Sequence, residues 1–389
     1  MADDEGPLHF VLKVVSRCNL NCSYCYVYNK GDETWRDRPA IMPTEVFKVA
    51  VERIFQHCLR SRQPTLSVVF HGGEPCLAGS TRFSEWCSYI EQRLGGLTRL
   101  RFSLQTNGTL LDKGWIDVLC RHQVSVGLSS DGPKELHDVF RVDHKGHGSY
   151  DLVKRGIDLL KGTPIPLEIL SVIQLGADGL RIHHHFLDLG VRRINYLFPD
   201  FSHDTIAPVL QTFGPTPCSD FLIPIFEDWW RNDTLDTKIG IFWNIARLIL
   251  GGPSHTDVLG NQPFRFIFIE ADGAIEGLDV LRVCSNGMAK MGLNVLSNDF
   301  SDLRNISDLH QASIFEGMDM PSACHQCPEA TTCSGGYLPH RYSSVHGFDM
   351  PSVWCADILR LFTHIRERLG VSCSDTQRRR QVLADFASN

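Results

Sequence analysis

The chain has 389 residues, 43% hydrophobic and 21% charged, with a formal net charge of −7. That is the composition of a folded protein with room for one large domain and a smaller one. The absence of a basic block weighs against nucleic acid as the main partner. No apolar run approaches the roughly 18 residues of a membrane span, and the acidic start, Met1-Ala2-Asp3-Asp4-Glu5, lacks the apolar core of a signal peptide.

From Phe10 to about Pro199 short apolar runs alternate with amphipathic stretches. The runs are Phe10–Val15, Leu66–Phe70, Leu100–Leu104, Val124–Leu128, Leu167–Ile173 and Arg193–Phe198. They are short and rich in Val, Ile, Leu and Phe, as buried parallel strands are. Helical patterns fall between them. Val46, Val49, Ala50 and Ile54 share one face, and Val153, Ile157 and Leu160 another, with Ser149 placed to cap the second. Six strand–helix units in series predict a parallel α/β sheet with right-handed crossovers. Six is short of the eight that close a full barrel, so the expectation is a curled, partial (β/α)6 barrel with its site at the carboxyl ends of the strands.

The predicted domains are residues 1–215 for this core, 216–262 for a helical linker and 263–389 for a second, loop-rich domain. A helical region runs roughly from Phe221 to Leu250 and breaks at Gly251-Gly252-Pro253. A strand follows at Phe264–Ile269, then a turn at Asp272-Gly273. A helix is expected from Pro351 to Leu369, and the Arg-rich tail after Thr376 reads as a frayed, solvated helix. Trp229-Trp230 reads as core.

Fourteen cysteines are many for a chain without an export signal. A disulfide framework is not expected there; the location implied is cytoplasmic, and metal ligation suits the cysteines that cluster. Cys58, Cys76, Cys87, Cys120, Cys218 and Cys373 are scattered and read as small hydrophobes.

The first cluster is Cys18-x3-Cys22-x2-Cys25, directly after the first strand. Three thiolates on one loop are one fewer than a [4Fe–4S] cube usually takes, which leaves one iron open to a small ligand. Zinc also takes thiolates, but structural zinc favours paired knuckles. After the second strand stands His71-Gly72-Gly73-Glu74-Pro75, where two glycines permit close backbone approach. Gln105-Thr106-Asn107-Gly108 ends the third strand. Ser129-Ser130-Asp131-Gly132 ends the fourth, with Arg141 beyond. A second cluster is Cys324-x2-Cys327-x5-Cys333 with Cys355 further on, a set that suits a cube or zinc. His183-His184-His185 is adjacent in sequence, so the three cannot face one ion, and it reads as a partly exposed helix.

The triplet with Tyr24 before Cys25 resembles the C-x3-C-x-aromatic-C signature of the radical S-adenosylmethionine (SAM) superfamily. The Gly-Gly-Glu, Gln-Thr-Asn-Gly and Ser-x-Asp-Gly segments are similar to its other motifs. The resemblance implies that Cys18, Cys22 and Cys25 hold a [4Fe–4S] cluster whose open iron takes SAM. It implies SAM contacts from Tyr24, Gly72, Gly73, Glu74, Thr106, Asn107, Ser129 and Arg141, with Ser129 and Arg141 on the carboxylate. The C-terminal set resembles a SPASM domain, which in full carries two auxiliary clusters. This chain departs from it: Leu278 and Tyr337 stand where cysteines are expected, and the first hairpin cysteine is missing. One auxiliary [4Fe–4S] cluster, on Cys324, Cys327, Cys333 and Cys355, is then implied, with Cys284 outside the pattern.

Further phrases narrow the likeness: Tyr26-Val27-Tyr28, Trp35-Arg36-Asp37-Arg38-Pro39, Leu278-Asp279, Gly335-Gly336-Tyr337-Leu338-Pro339-His340-Arg341-Tyr342, Gly347-Phe348-Asp349 and Cys355-Ala356-Asp357. They resemble the Fxs-type and Xye-type radical SAM/SPASM peptide maturases, several of which are three-residue cyclophane synthases. The resemblance implies an oxidoreductase that acts on a ribosomally made precursor peptide. It would join an aromatic ring to the Cβ of a residue two places on, using a 5′-deoxyadenosyl radical and an external electron donor such as a flavodoxin or ferredoxin. Thioether formation, epimerisation and sulfatase formylglycine maturation are the alternative outcomes, and a non-catalytic metal-binding scaffold is the remote one. A base is also required, for which Asp279 and His340 are the candidates. The precursor's leader is expected to bind this chain directly or through a partner, most simply as an added strand at a sheet edge.

Overall fold

The computed structural model describes residues 8–232, 236–254 and 256–387, and the acidic start lies outside them. In chain order the elements are β1 (His9–Val15), α1 (Thr44–Ser61), β2 (Thr65–Gly72), α2 (Ser80–Leu94), β3 (Arg99–Thr106), α3 (Lys113–Arg121), β4 (Ser125–Ser129), α4 (Lys134–Phe140), α5 (Tyr150–Leu160), β5 (Leu167–Val172) and α6 (Gly179–Asp188). Next come β6 (Arg193–Leu197), α7 (Ala207–Phe213), α8 (Pro217–Arg231), β7 (Lys238–Ile239), α9 (Gly240–Ile249), β8 (Phe266–Ile269), β9 (Ala274–Glu276) and β10 (Lys290–Asn294). Four helices close the series: α10 (Asp308–Gln311), α11 (Ala330–Cys333), α12 (Cys355–Leu369) and α13 (Cys373–Ala387). The chain divides into two compact units. One holds the residues up to Leu170 with Leu189–Val191 and Arg265–Phe315; the other holds Ser171–Asp188, Arg192–Phe264 and the residues from Glu316 on.

In the first unit β1 to β5 run parallel and in sequence order, with Phe10 opposite Val68, Val68 opposite Phe102, Leu104 opposite Val126 and Val126 opposite Leu167. Helices cover such a sheet, so its strands carry apolar residues on both faces; in β1 every residue after His9 is buried. Helix α1 buries Val46, Phe47, Ala50, Val51, Ile54, His57 and Cys58. The buried stripe thus runs through Phe47 and Val51, and Val49 is only half-buried. Ser149 holds the N-cap position of α5 as expected, but its hydroxyl donates to the Arg141 carbonyl at 2.8 Å and caps no helix N–H. Asp138 accepts the Tyr150 N–H at 2.9 Å instead, because a carboxylate reaching back from α4 fits there.

At the other edge β8 joins β1 in parallel, and β9 and β10 continue as an antiparallel meander. The turn between β8 and β9 forms at Asp272-Gly273 as expected, with Gly273 at φ +85° and its N–H on the Glu270 carbonyl at 2.8 Å.

In the second unit β6 runs parallel to β7, and α8 packs against α6 and α12. Trp354 is fully buried and donates to the Pro199 carbonyl at 2.9 Å. Two sequence expectations change here. Trp230 is 39% exposed, and the last long helix begins at Cys355, because Pro351 to Trp354 form an extended approach and a turn. The three consecutive histidines do lie on a helix, α6, where His183 is buried against the Tyr196 hydroxyl and His184 meets Asp228. Among the described residues no helix is long and apolar enough to cross a membrane.

Candidate active site

The loop after β1 carries the cysteine triplet and is pinned along its length. The Leu20 N–H faces the Cys18 sulfur at 3.4 Å, and the Cys25 N–H bonds to the Cys22 carbonyl at 3.0 Å. Asn21 and Ser23 donate to the carbonyls of Val142 and Phe140. His144 sits 2.9 Å from the Cys18 carbonyl. Arg17 donates to the carbonyls of Trp35, Arg36 and Arg38, which fixes the strap that follows the loop.

The end of β2 runs directly beneath this loop. A Cβ on Gly72 would lie 2.1 Å from the Val15 carbonyl oxygen, and one on Gly73 would lie 2.3 Å from that of Arg17. Only glycine fits there. The Gly73 N–H donates to Val15 at 2.7 Å and the Glu74 N–H to Arg17 at 2.9 Å.

Glu74 is fully buried. Its carboxylate accepts the Cys76 N–H, the Thr106 hydroxyl and the Asn107 N–H, at 2.9, 2.7 and 2.7 Å. Asn107 in turn holds Asn19 at 2.9 Å and reaches the Cys18 sulfur at 3.8 Å. The side chains of Glu74, Thr106 and Asn107 therefore tie three strand ends together rather than standing free for a ligand.

Arg141 is buried and donates through Nε to Asp131 at 2.8 Å. The Tyr24 hydroxyl donates to the same Asp131 oxygen, and the Arg141 guanidinium lies 5.5 Å from the Tyr24 ring centre. Asp131 went unassigned in the sequence because it reads as a turn residue; here it anchors both predicted SAM contacts. Ser129 accepts from Gln105 at 3.1 Å.

Burial pushes the Cys18 thiol up to about 12, with the Glu74 charge adding to it, and the Cys22 thiol up to about 11. The three sulfurs are within electrostatic reach of one another. Among the described residues no three His, Cys, Asp or Glu side chains close on a single ion. A positively charged iron–sulfur centre is what would bring such thiols to thiolates, and the donor set of three cysteines on one pinned loop fits it.

Behind the triplet lies a buried ionic network in the same unit. Lys13 on β1 pairs with Asp279, and the Tyr26 hydroxyl donates to Asp279 at 2.6 Å. Arg38 and Arg282 each pair with both Glu270 and Glu276, with Arg282 3.5 Å from Asp32. Burial alone would raise the Asp279 carboxyl, but the charges of Lys13, His71 and Arg282 together with the Lys13 hydrogen bond outweigh it and lower the group to about 2. His71 takes the Gly72 N–H on Nδ1 at 2.7 Å, and burial followed by the Lys13 charge lowers its imidazole to about 4. Of this network, sequence reading gave a catalytic role to Asp279 alone. The missed signal was Lys13, a lone charge in the apolar run Phe10–Val15.

The other cysteine set lies wholly in the second unit. Cys324 ends a short turn, the Cys327 N–H bonds back to its carbonyl at 3.0 Å, Cys333 ends α11, and Cys355 opens α12. The Cys333 thiol is raised by burial and then by the other three sulfurs, which lie within electrostatic reach of it. Cys355 is the exposed member. Arg341, held by the carbonyls of Phe348 and Asp319, supplies nearby positive charge. Leu278 in the first unit and Tyr337 in the second are both buried. His340 is buried 3.4 Å from Asp200, its ring edge-on to Tyr337. Cys284 is half-buried.

The sequence profile of the Radical SAM superfamily matches residues 12–181. A cysteine-type anaerobic sulfatase-maturating enzyme of Clostridium perfringens (strain ATCC 13124) is 25% identical over 390 residues, covering 93% of this chain and 97% of its own. The serine-type enzyme of Bacteroides thetaiotaomicron is 23% identical over 379 residues, covering 92% and 89%. Among solved structures, native anSMEcpe with bound AdoMet superposes with a TM-score of 0.78 at 23% identity, over 93% of this chain and 98% of that one. Streptococcus suis SuiB bound to the precursor peptide SuiA gives 0.52 at 16%, over 86% and 72%. The fold is thus the radical SAM α/β fold followed by a cysteine-rich C-terminal region.

Proposed function

We propose that the chain is a radical SAM enzyme that modifies a peptide, forming a C–C crosslink between an aromatic side chain and the Cβ of a residue two places on. The observation that carries the reading is one arrangement. The loop of Cys18, Cys22 and Cys25 is clamped onto Gly72 and Gly73, and the residue after Cys25, Tyr26, is hydrogen-bonded to the buried carboxylate of Asp279.

The triplet would hold a [4Fe–4S] cluster, and Cys324, Cys327, Cys333 and Cys355 an auxiliary one. When bound, the cluster and SAM supply a 5′-deoxyadenosyl radical able to take a hydrogen atom from an unactivated carbon. The chain's own part is to position and to accept. Arg141, oriented by Asp131, offers its remaining guanidinium N–H groups to a carboxylate. The Gly72–Gly73 backbone admits a ligand closely. Asp279 is ionised and can take the proton released when a substituted ring regains aromaticity. His340 is the weaker candidate, since its imidazole already faces Asp200. The partners are a precursor peptide and an external one-electron donor.

A second reading is favoured by the relatives, which are named as sulfatase-maturating enzymes: oxidation of a peptide Cys or Ser to formylglycine. Leu278 and Tyr337, neither of them a thiol where a two-cluster pattern places cysteines, support the first reading over it. Mass and reactivity of the peptide decide. A crosslink loses two hydrogens and creates no aldehyde. Formylglycine from Cys loses the sulfur, and from Ser yields a hydrazine-reactive aldehyde. Anaerobic turnover with SAM, reductant and the peptide encoded beside the gene, followed by fragmentation, is the test. An aldehyde in the product would overturn the crosslink.

A further inference from the structure

Lys13 is the one ammonium or carboxylate in β1, and it is 2% exposed. Removing an ammonium from water is costly unless a partner meets it, and even a good buried pair seldom adds net stability. A charge kept in the middle of an apolar strand therefore calls for a reason beyond packing. Its register opposite His71 sets both side chains on one face of the β1–β2 pair, the face that meets Asp279.

The surrounding charges narrow the role. Glu270, at the end of β8, lies 3.7 Å from the Lys13 nitrogen, but it is also matched by Arg38 and Arg282 at 2.8 Å each. Glu276 of β9 is matched by the same two arginines, and Asp32 lies beside Arg282. The ion-pair partner of Asp279 is Lys13, and the ring of Tyr26, whose hydroxyl donates to Asp279, lies 5.5 Å from the same nitrogen. Lys13, Tyr26 and Asp279 thus form a closed triangle; His71 and the Arg282 charge act on Asp279 from beside it, while both arginines pair with Glu270 and Glu276.

We propose that Lys13 is a positioning residue: its ammonium fixes the Asp279 carboxylate, ionised and oriented against Tyr26, as the acceptor for the proton that the peptide gives up. The inference rests on the reading of Asp279 as the base. In the step served, a ring C–H bond breaks, the proton bonds to a carboxylate oxygen of Asp279, and one electron leaves to an oxidised acceptor of the iron–sulfur class. Lys13 stays protonated throughout.

The test compares wild type, Lys13→Met, Lys13→Arg and Asp279→Asn as iron-loaded proteins. Product formation and SAM cleavage are followed separately from pH 6 to 9, and the Asp279 carboxyl is titrated by infrared difference spectroscopy with Asp279→Asn as the blank. Lys13→Met should gain an acid limb in product formation, with roughly a tenfold loss at the low end, while SAM cleavage keeps its wild-type profile. Lys13→Arg should restore the flat profile. An unchanged profile in Lys13→Met, or an equal loss in both reactions, overturns the proposal. Should Lys13→Met fail to fold, the wild-type titration still decides: a carboxyl of Asp279 that protonates above pH 5 overturns the role. If wild type gives formylglycine instead of a crosslink, the function reading fails while the Lys13 comparison runs unchanged on that product.

Discussion

The carboxylate of Glu74 accepts the backbone N–H of Asn107 at 2.7 Å. The end of β2 is thereby bolted to the end of β3, and Asn107 carries the link on to Cys18. The Gly-Gly-Glu and Gln-Thr-Asn-Gly segments are one structural device: glycines give closeness and Glu74 gives rigidity.

Glu74→Gln should expose that device. An amide has one accepting oxygen where the carboxylate has two, so at least one buried N–H or hydroxyl loses its partner. Such a loss costs roughly 1–3 kcal/mol. The expected outcome is a lower denaturant midpoint together with weaker SAM binding by calorimetry. Full stability in the variant would mean that the Asn107 contact is dispensable.

Arg141→Lys should weaken SAM binding by about tenfold or more without unfolding the protein. A lysine can still pair with Asp131 but cannot offer a planar pair of donors to a carboxylate. Asp131→Asn should be worse for stability, by roughly 3–5 kcal/mol, because it leaves a buried guanidinium uncompensated. Equal SAM affinity in Arg141→Lys, measured by calorimetry, would remove Arg141 from the binding site.

The strands were legible because buried parallel strands write themselves as short apolar runs; β1 to β6 fall close to the runs expected for them. The cysteine sets and the glycine pair were legible because their chemistry is tied to local spacing. The roles of Asp131, Tyr26 and Lys13 were not, since each acts through a partner that local spacing does not reveal: Tyr24 and Arg141 for Asp131, and Asp279 for the other two. The predicted SAM contacts Glu74, Thr106 and Asn107 illustrate a different limit. Spacing placed them at the right strand ends, but only the fold reveals that their side chains turn toward one another.

The two cysteine sets should separate under mutation. Cys327→Ala should lower iron and sulfide by about one cluster while reductive SAM cleavage persists, because the set it belongs to is complete within its own unit. Cys22→Ala should abolish SAM cleavage and leave the other cluster's iron in place. Iron and sulfide assays with electron paramagnetic resonance check both. Loss of all iron in Cys327→Ala would mean that the two sets are not independent sites.

Asp357 gives a prediction on stability and pH. It is 1% exposed and accepts the Ser219 N–H at 2.7 Å, while its other oxygen has no hydrogen-bond partner among the described residues. Burial raises its carboxyl to about 6, against the partial relief from the Ser219 N–H. In the unfolded chain the group titrates near about 4. Between those values the folded state holds a proton that the unfolded state has lost, so this group's contribution to stability falls as pH rises through the window and stays low above it. Asp357→Asn keeps an acceptor for Ser219 and cannot ionise. It should therefore match or exceed wild type in denaturant midpoint at pH 7.5 and lose that advantage at pH 4.5. Parallel pH dependence in the two proteins would show that Asp357 is not protonated in this range.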